Sequence, residues 1–140
     1  PVEEGRARAL ETVAPLNEPE DDDIKPATAV SVTTRLYRGT VRSGQQVSAA
    51  GSDLIVIGAV NAGAEVLAAG SIHVYGALRG RALAGIHGNT QAGIYCRELE
   101  AELLSVAGNY KRLEDIDSQL LGRAAEVHFI KEQLEIKPLG

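Results

Sequence analysis

Short apolar runs recur along the middle of the chain at a nearly constant interval, and glycines punctuate them. From Gly51 to Gly70 is 19 residues, from Gly70 to Gly88 is 18, and from Gly58 to Gly76 is 18. A period near 18 is too short for two helices and a turn, but it fits one coil of a β-solenoid built from three short strands. The pattern therefore predicts an all-β fold in which equivalent side chains stack in columns.

Alternation within the runs predicts which side chains face inward. Successive side chains of a strand point to opposite faces. Aligning the coils on Gly58, Gly76 and Cys96 gives two inward columns, Leu54–Ile72–Ala92 and Val56–Val74–Ile94. Gly93 then falls outside in the column of Ile55 and His73. The outward set is also apolar or aromatic, with one column predicted to run Ile57–Tyr75–Tyr95; the whole set is Ile55, Ile57, His73, Tyr75 and Tyr95.

We expect another protein surface to pack against this outward apolar surface, because burying each large side chain contributes about 1.5–3 kcal/mol. A second copy of the chain is the favoured cover, since flat apolar faces readily form two-fold contacts. Two alternatives stay open: the C-terminal segment folds over the tyrosines, or the tyrosines are ordinary amphipathic surface residues.

A second set of strands is predicted from Gly44, Gly63 and Gly80. Its inward columns are predicted to be Val47–Val66–Leu83 and Ala49–Ala68–Gly85. Further along, residues 98–106 resemble a helix locally, but the repeat favours a fourth coil. Residues 111–122 are predicted to form a loop, and residues 125–130 and 134–136 a strand pair that caps the solenoid.

The charge lies at the start of the chain. Residues 1–30 hold eight acidic and three basic side chains, which account for the net charge of −5, while residues 31–140 balance. With four prolines and little periodicity, residues 1–34 are predicted to be an acidic disordered linker and residues 35–140 the folded domain. A chain that opens on Pro1 without methionine is interpreted as part of something longer. Bulk charge favours neither nucleic acid nor direct attraction to an anionic membrane.

Candidate chemistry is sparse. One cysteine and three scattered histidines predict no internal disulfide, no metal site and no cofactor. His73 or His87 could be the general base of a solenoid acyltransferase, but the hexapeptide period of those enzymes is missing. Arg79 and Arg81 flank a turn glycine; they either pair with a partner's carboxylates or are solvated. A comparable polar corner consists of Arg42, Ser43, Gly44 and Gln45.

At these residues the sequence closely resembles the C-terminal domain of the MinC family of bacterial cell-division inhibitors. The similarity covers about residues 42–140, and its most specific strings are IHVYG at 72–76 and LRGRALAG at 78–85. The others are RSGQ at 42–45, DLIV at 53–56, GAE at 63–65, AEL at 101–103, VAG at 106–108 and LEIKPL at 134–139. Ala69, Ala77 and Gly93 depart from the expected residue types, and none of them touches the RSGQ corner.

The resemblance implies a right-handed triangular β-helix of about four coils that is not an enzyme. It implies a homodimer that binds the membrane-associated ATPase MinD through Arg42, Ser43, Gly44 and Gln45. It further implies a cytoplasmic protein that MinD recruits to the inner face of the membrane. The family's N-terminal domain, which antagonises FtsZ, is expected to be missing from this chain. The alternative function is a self-polymerising structural β-helix of the bactofilin type.

Overall fold

Eleven strands build two sheets in the computed structural model, which describes residues 33–140. The predicted linker at residues 1–34 therefore lies outside the described residues except for its last two. The strands are β1 Arg35–Arg38, β2 Gln46–Ala49, β3 Leu54–Ile57, β4 Glu65–Ala68, β5 Ile72–Leu78, β6 Arg81–Ala84, β7 Gly93–Leu99, β8 Leu103–Val106, β9 Asn109–Arg112, β10 Ala125–Ile130 and β11 Gln133–Pro138.

The strands wind as four coils with three sides. The first sheet has the order β1-β3-β5-β7-β10-β11, and the second has the order β2-β4-β6-β8-β9. The third side is narrow: Val41, Val60 and Leu78 bridge one another in parallel, and Leu78 pairs with Leu99. Neighbouring coils are parallel in both sheets. The predicted all-β solenoid of about four coils is confirmed, and residues 98–106 belong to the fourth coil rather than to a helix.

The core is a set of stacked aliphatic columns, and the first sheet follows the predicted register between β3 and β5. Leu54 pairs with Ile72 and Val56 with Val74, and all four side chains are buried. Interior space is narrow, so alanines fill many of the remaining inward positions.

The predicted register is wrong at the fourth coil. Ile72 pairs with Ile94 and His73 with Tyr95, so Tyr95 stacks on His73 and not on Tyr75. The coil from Ile72 to Ile94 takes 22 residues instead of 18, because a longer turn separates β6 from β7. Gly93 lies opposite His128 and is buried, outside the column predicted for it.

The second sheet also departs from prediction by one residue. Val66 pairs with Ala82, so Ala82 and Ala84 face the core while Leu83 is half-buried on the outer surface. The cause is the corner before β6, which is one residue shorter: β6 begins directly after Gly80, whereas β2 and β4 each begin two residues after their corner glycine.

Antiparallel strands close the lower end of the solenoid. β9 pairs with β8, and the β10–β11 hairpin pairs with β7. The predicted capping strand pair is confirmed, but it extends the first sheet at its edge instead of folding over the tyrosines. Within the predicted loop at 111–122, the first two residues belong to β9, and two short 3₁₀ helices follow at Leu113–Asp115 and Ser118–Leu120. No helix in the described part of the chain is long and apolar enough to cross a membrane.

Candidate partner-binding surfaces

The outward surface of the first sheet carries an apolar and aromatic strip. Tyr75 is 51% exposed, Leu36 49% and Ile57 36%, which is unusual for side chains of this size in a regular sheet. Leu36 was missed by sequence reasoning, although it lies 19 residues before Ile55 and pairs with it. The outer strip, as we call it, consists of Leu36, Ile55, Ile57, His73, Tyr75 and Tyr95.

Ring contacts order the middle of the outer strip. His73 stacks on Tyr95 with ring centroids 4.7 Å apart and planes 9° from parallel. Tyr95 meets the edge of His128 at 5.4 Å, and His128 Nε2 lies 2.9 Å from Glu126 Oε1. Aromatic pairs of this kind contribute about 0.5–1.5 kcal/mol beyond their area burial. The contacts therefore stabilise the arrangement of the three rings at the middle of the outer strip.

A pocket opens at the lower end of the outer strip. Its volume is about 270 Å³, and its lining is mostly apolar. We call it the end pocket; its outer lining is His73, Tyr75, Tyr95, Arg97, Ala124 and Leu139. Cys96 lies at its base on the core side, and burial raises the pKa of this thiol from 9.0 to about 11. Cys96 is consequently a neutral core residue at physiological pH, with little thiolate character.

The Arg42–Gln45 corner is a tight turn whose four residues are all exposed. Gln45 N–H donates to the Arg42 carbonyl at 2.8 Å, and Gly44 has φ of +84°. A glycine with positive φ at the third position is typical of a type II turn. The Gln45 side chain closes the turn from outside, because its Oε1 accepts from Arg42 N–H at 2.7 Å. The Arg42 and Ser43 side chains are left facing outward.

A matching turn in the next coil supports this corner from below. Residues 61–64 repeat the geometry, with Ala64 N–H donating to the Asn61 carbonyl at 3.0 Å and Gly63 at φ +82°. Gly44 N–H donates to the Gly63 carbonyl at 2.9 Å, which ties the two turns together. A side chain at position 63 would collide with Ser43 Oγ. The height and direction of Ser43 thus depend on glycine in the coil beneath.

Arg79 and Arg81 follow one coil further down and are held within the chain. Arg79 Nε lies 2.9 Å from Glu100 Oε1 and its Nη2 lies 3.9 Å from Glu98 Oε1. Arg81 Nε lies 3.9 Å from Glu102 Oε1. Both arginine side chains are nearly half exposed, so they remain reachable while their charge is locally balanced.

A groove of about 690 Å³ crosses the outer surface of the second sheet below the corner. We call it the second-sheet groove. Sequence reasoning missed it because the one-residue slip placed Leu83 in the core. The observable signal was the shorter spacing from Gly80 to its strand. Its lining includes Arg81, Leu83, Leu103, Ser105, Tyr110 and Arg112.

The histidines weighed for catalysis lie in different settings. His73 is stacked within the outer strip, and a ring nitrogen of His87 lies 3.0 Å from the Ala50 carbonyl. Across residues 33–140 no three His, Cys, Asp or Glu side chains cluster as metal ligands would. The described residues offer instead two outward surfaces, the outer strip and the Arg42–Gln45 corner.

The described residues thus form a three-sided β-solenoid with an apolar strip on one side and a polar turn at a corner. The model of the family "Septum formation inhibitor MinC, C-terminal domain" matches residues 35–139. The chain is 50% identical over 114 residues to a probable septum site-determining protein MinC of Aeromonas salmonicida, covering 81% of this chain and 48% of that relative. It is 52% identical over 105 residues to one of Xanthomonas campestris, covering 75% and 42%. The chain belongs to the MinC family of septum formation inhibitors and carries its C-terminal domain.

A solved structure agrees. The chain is similar to one in the MinC:MinD cell division protein complex of Aquifex aeolicus, with a TM-score of 0.71 and 32% sequence identity. That similarity covers 76% of this chain and 87% of the other. The chain spans about half the length of the curated relatives it matches.

Proposed function

We propose that this domain dimerises through the outer strip and binds the membrane-associated ATPase MinD through the Arg42–Gln45 corner. In this way it places a division inhibitor at the membrane without being an enzyme. The observation that carries the proposal is the corner itself, an exposed turn on a domain similar to one found in a MinC:MinD complex. Two hydrogen bonds hold this turn, one from Arg42 N–H to the Gln45 side chain and one from Gly44 N–H to the Gly63 carbonyl. FtsZ would be antagonised by the family's N-terminal domain.

The corner suits a protein partner because the turn backbone that carries its recognition groups is hydrogen-bonded before contact. The planar guanidinium of Arg42 has five N–H donors and can bind a carboxylate through two hydrogen bonds; Ser43 lies beside it in the turn. Preorganised contacts lose little conformational entropy on binding. Gln46, next to the corner, pairs with Glu65 at a side-chain distance of 2.7 Å, and Glu65 pairs with Arg81 at the second-sheet groove. The groove would extend the same docking surface, with Arg79 and Arg81 as weaker candidates for contact.

Co-sedimentation with MinD on vesicles in ATP tests this proposal. Arg42→Ala is expected to reduce recruitment at least tenfold because it removes the charged fork, while light scattering still reports the dimer. Arg123→Ala is the matched control, since it removes an exposed arginine from the loop before β10. Recruitment of Arg42→Ala at the level of Arg123→Ala would refute the corner as the docking site.

The nucleotide dependence separates the proposed function from the bactofilin-type alternative. A MinD adaptor is expected to bind in ATP and to be released in ADP. A structural polymer would form filaments from the purified chain alone, visible by electron microscopy. The two ends of the solenoid are unlike in the described residues, because antiparallel strands close only the lower end. Filaments without MinD and nucleotide would favour the alternative.

A further inference from the structure

Gly63 supports the Arg42–Gln45 corner from below, and both of its backbone polar groups are hydrogen-bonded. Its carbonyl accepts from Gly44 N–H, inside the corner, at 2.9 Å. Its own N–H donates to Glu102 Oε1 at 3.4 Å. Gly63 precedes β4 and Glu102 precedes β8, so the two residues belong to the second and the fourth coil. A side chain of the fourth coil therefore reaches the turn on which the corner rests.

The third coil lies between these two residues and has a glycine at this place. Glu102 N–H donates to the Gly80 carbonyl at 2.9 Å, so Gly80 lies directly above Glu102. Arg81 N–H donates to the Ala64 carbonyl at 2.9 Å, so this part of the third coil lies directly below the turn at 61–64. A side chain on Gly80 would collide with backbone carbonyl oxygens of that turn. No side chain of residue 80 therefore stands between Glu102 and the turn.

Backbone and neighbouring charge together restrict the Glu102 side chain. The Glu102 carbonyl accepts from Leu113 N–H at 3.2 Å, which fixes the backbone from which the side chain rises. Arg81 Nε lies 3.9 Å from Glu102 Oε1, the same oxygen that accepts from Gly63 N–H. This ion pair is exposed and stabilises the fold little by itself. Its consequence is geometric, because the guanidinium keeps the carboxylate oxygen on the side of the turn.

We propose that Glu102 is a positioning residue for the Arg42–Gln45 corner. Its carboxylate holds the Gly63 peptide, and Gly63 sets the height of Gly44 and Ser43 in the turn above. The proposal rests on the proposed function and adds a residue outside the corner on which docking of MinD depends. Glu102 acts through Gly63 and makes its contribution before MinD is present.

Two substitutions of Glu102 separate its reach from its charge. Glu102→Gln removes the charge but keeps the side-chain length and an oxygen that accepts a hydrogen bond. Glu102→Asp keeps the charge but is one methylene shorter, and a contact already at 3.4 Å is lost when it lengthens further. Losing the hydrogen bond is expected to lower vesicle recruitment by MinD in ATP about fivefold in Glu102→Asp. Glu102→Gln is expected to recruit within about twofold of the unsubstituted chain. The reverse order would overturn the proposal.

Backbone order in the unbound domain shows whether the effect is one of position. NMR order parameters of the Gly44 and Ser43 amides are measured without MinD, so direct contact with the partner does not contribute. In Glu102→Asp they are expected to fall by about 0.1 or more from the rigid-backbone value of about 0.85. In Glu102→Gln they are expected to stay at the unsubstituted level. Lower recruitment by Glu102→Asp with unchanged order parameters would overturn the positioning role.

Glu100→Asp is the matched control for Glu102→Asp. The Glu100 side chain is 43% exposed against 42% for Glu102, and its carboxylate pairs with Arg79 instead of Arg81. Shortening it is expected to leave recruitment within about twofold, because an exposed ion pair contributes little. The order parameters of the corner are expected to stay unchanged. An equal loss in both aspartate variants would overturn the specific role of Glu102.

Arg42→Ala in the same recruitment assay separates failure of this proposal from failure of the proposed function. If Arg42→Ala loses recruitment while Glu102→Asp recruits at the unsubstituted level, the corner remains the docking site and the role of Glu102 is overturned. If Arg42→Ala recruits normally, the corner is not the docking site and both proposals fail.

Discussion

The outer strip and the Arg42–Gln45 corner present two different ways of offering a protein surface. The strip is β-sheet in which outward side chains would carry the contact; its strands pair in parallel, with one irregularity between Val74 and Ala77. The corner is a turn in which glycine backbone conformation sets where the polar groups lie. The strip should therefore tolerate changes of shape and fail when charged. The corner should fail when its backbone is restrained, even by a methyl group.

Charging the strip is expected to have the largest effect. Tyr75→Asp puts a carboxylate where the dimer would bury an aromatic ring, and desolvating an unpaired charge is costly. The dimer dissociation constant is expected to rise at least a hundredfold, giving monomers at micromolar concentration in analytical ultracentrifugation. Binding of one MinD per chain should survive because the corner is untouched.

Tyr110→Asp is the matched control for Tyr75→Asp. Tyr110 is 58% exposed, but it lies on the second sheet, beside the groove rather than the strip. Its substitution should leave the dimer intact and weaken MinD recruitment instead. If both variants dissociate equally, the strip and the second sheet do not differ in the way described.

The core beneath the strip contains one group, the Cys96 thiol, that should make the free energy of unfolding depend on pH in the alkaline range. Burial raises the pKa of Cys96 from 9.0 to about 11, so the folded state favours the neutral thiol. The contribution of the neutral thiol to the free energy of unfolding is fully present below pH 9 and is lost as the pH rises through about 11. At about 1.4 kcal/mol per pKa unit it amounts to about 2–3 kcal/mol. Urea unfolding between pH 8 and 11 measures it.

Cys96→Ala separates this thiol from the tyrosines and lysines that titrate in the same range. The variant is less stable at pH 8 because a core atom is lost, but its stability should fall less steeply with pH. Equal slopes for both proteins would show that the thiol does not contribute.

Restraining the corner tests its backbone. Gly63→Ala is expected to cost about 1–2 kcal/mol, because alanine resists φ of +82°. Its methyl group also displaces Ser43 in the turn above, so MinD recruitment should fall severalfold. Gly122→Ala is the control: φ is +78° with open space around it, so strain is similar but no docking group moves. Equal recruitment by both variants would contradict a backbone-set corner.

The coils could be predicted because few folds repeat every 18 residues. The corner could be located because glycines mark turns in a sequence. The register of each strand could not be predicted. The turn before Gly93 is four residues longer than in the preceding coil, which changes the strand partner of Tyr95. The corner at Gly80 is one residue shorter, which turns Leu83 to the outer surface. Such differences in turn length are visible only in the backbone structure. The end pocket and the second-sheet groove were unpredictable for the same reason, since each forms where separate coils and the cap meet.

The smallest expected effect concerns Arg79, which lies two coils below the Arg42–Gln45 corner and is only a weaker candidate for docking. Its pairs with Glu98 and Glu100 are solvent-exposed, and exposed pairs contribute about 0.2–1 kcal/mol. Arg79→Ala should therefore lower stability by less than 1 kcal/mol and leave both dimer and recruitment within twofold of the unsubstituted chain. Arg42→Ala, two coils above, provides the contrast. If Arg79→Ala abolished recruitment as well, the docking surface would extend from the Arg42–Gln45 corner down to Arg79. The pairing of Arg79 with Glu98 and Glu100 would then not exclude it from that surface.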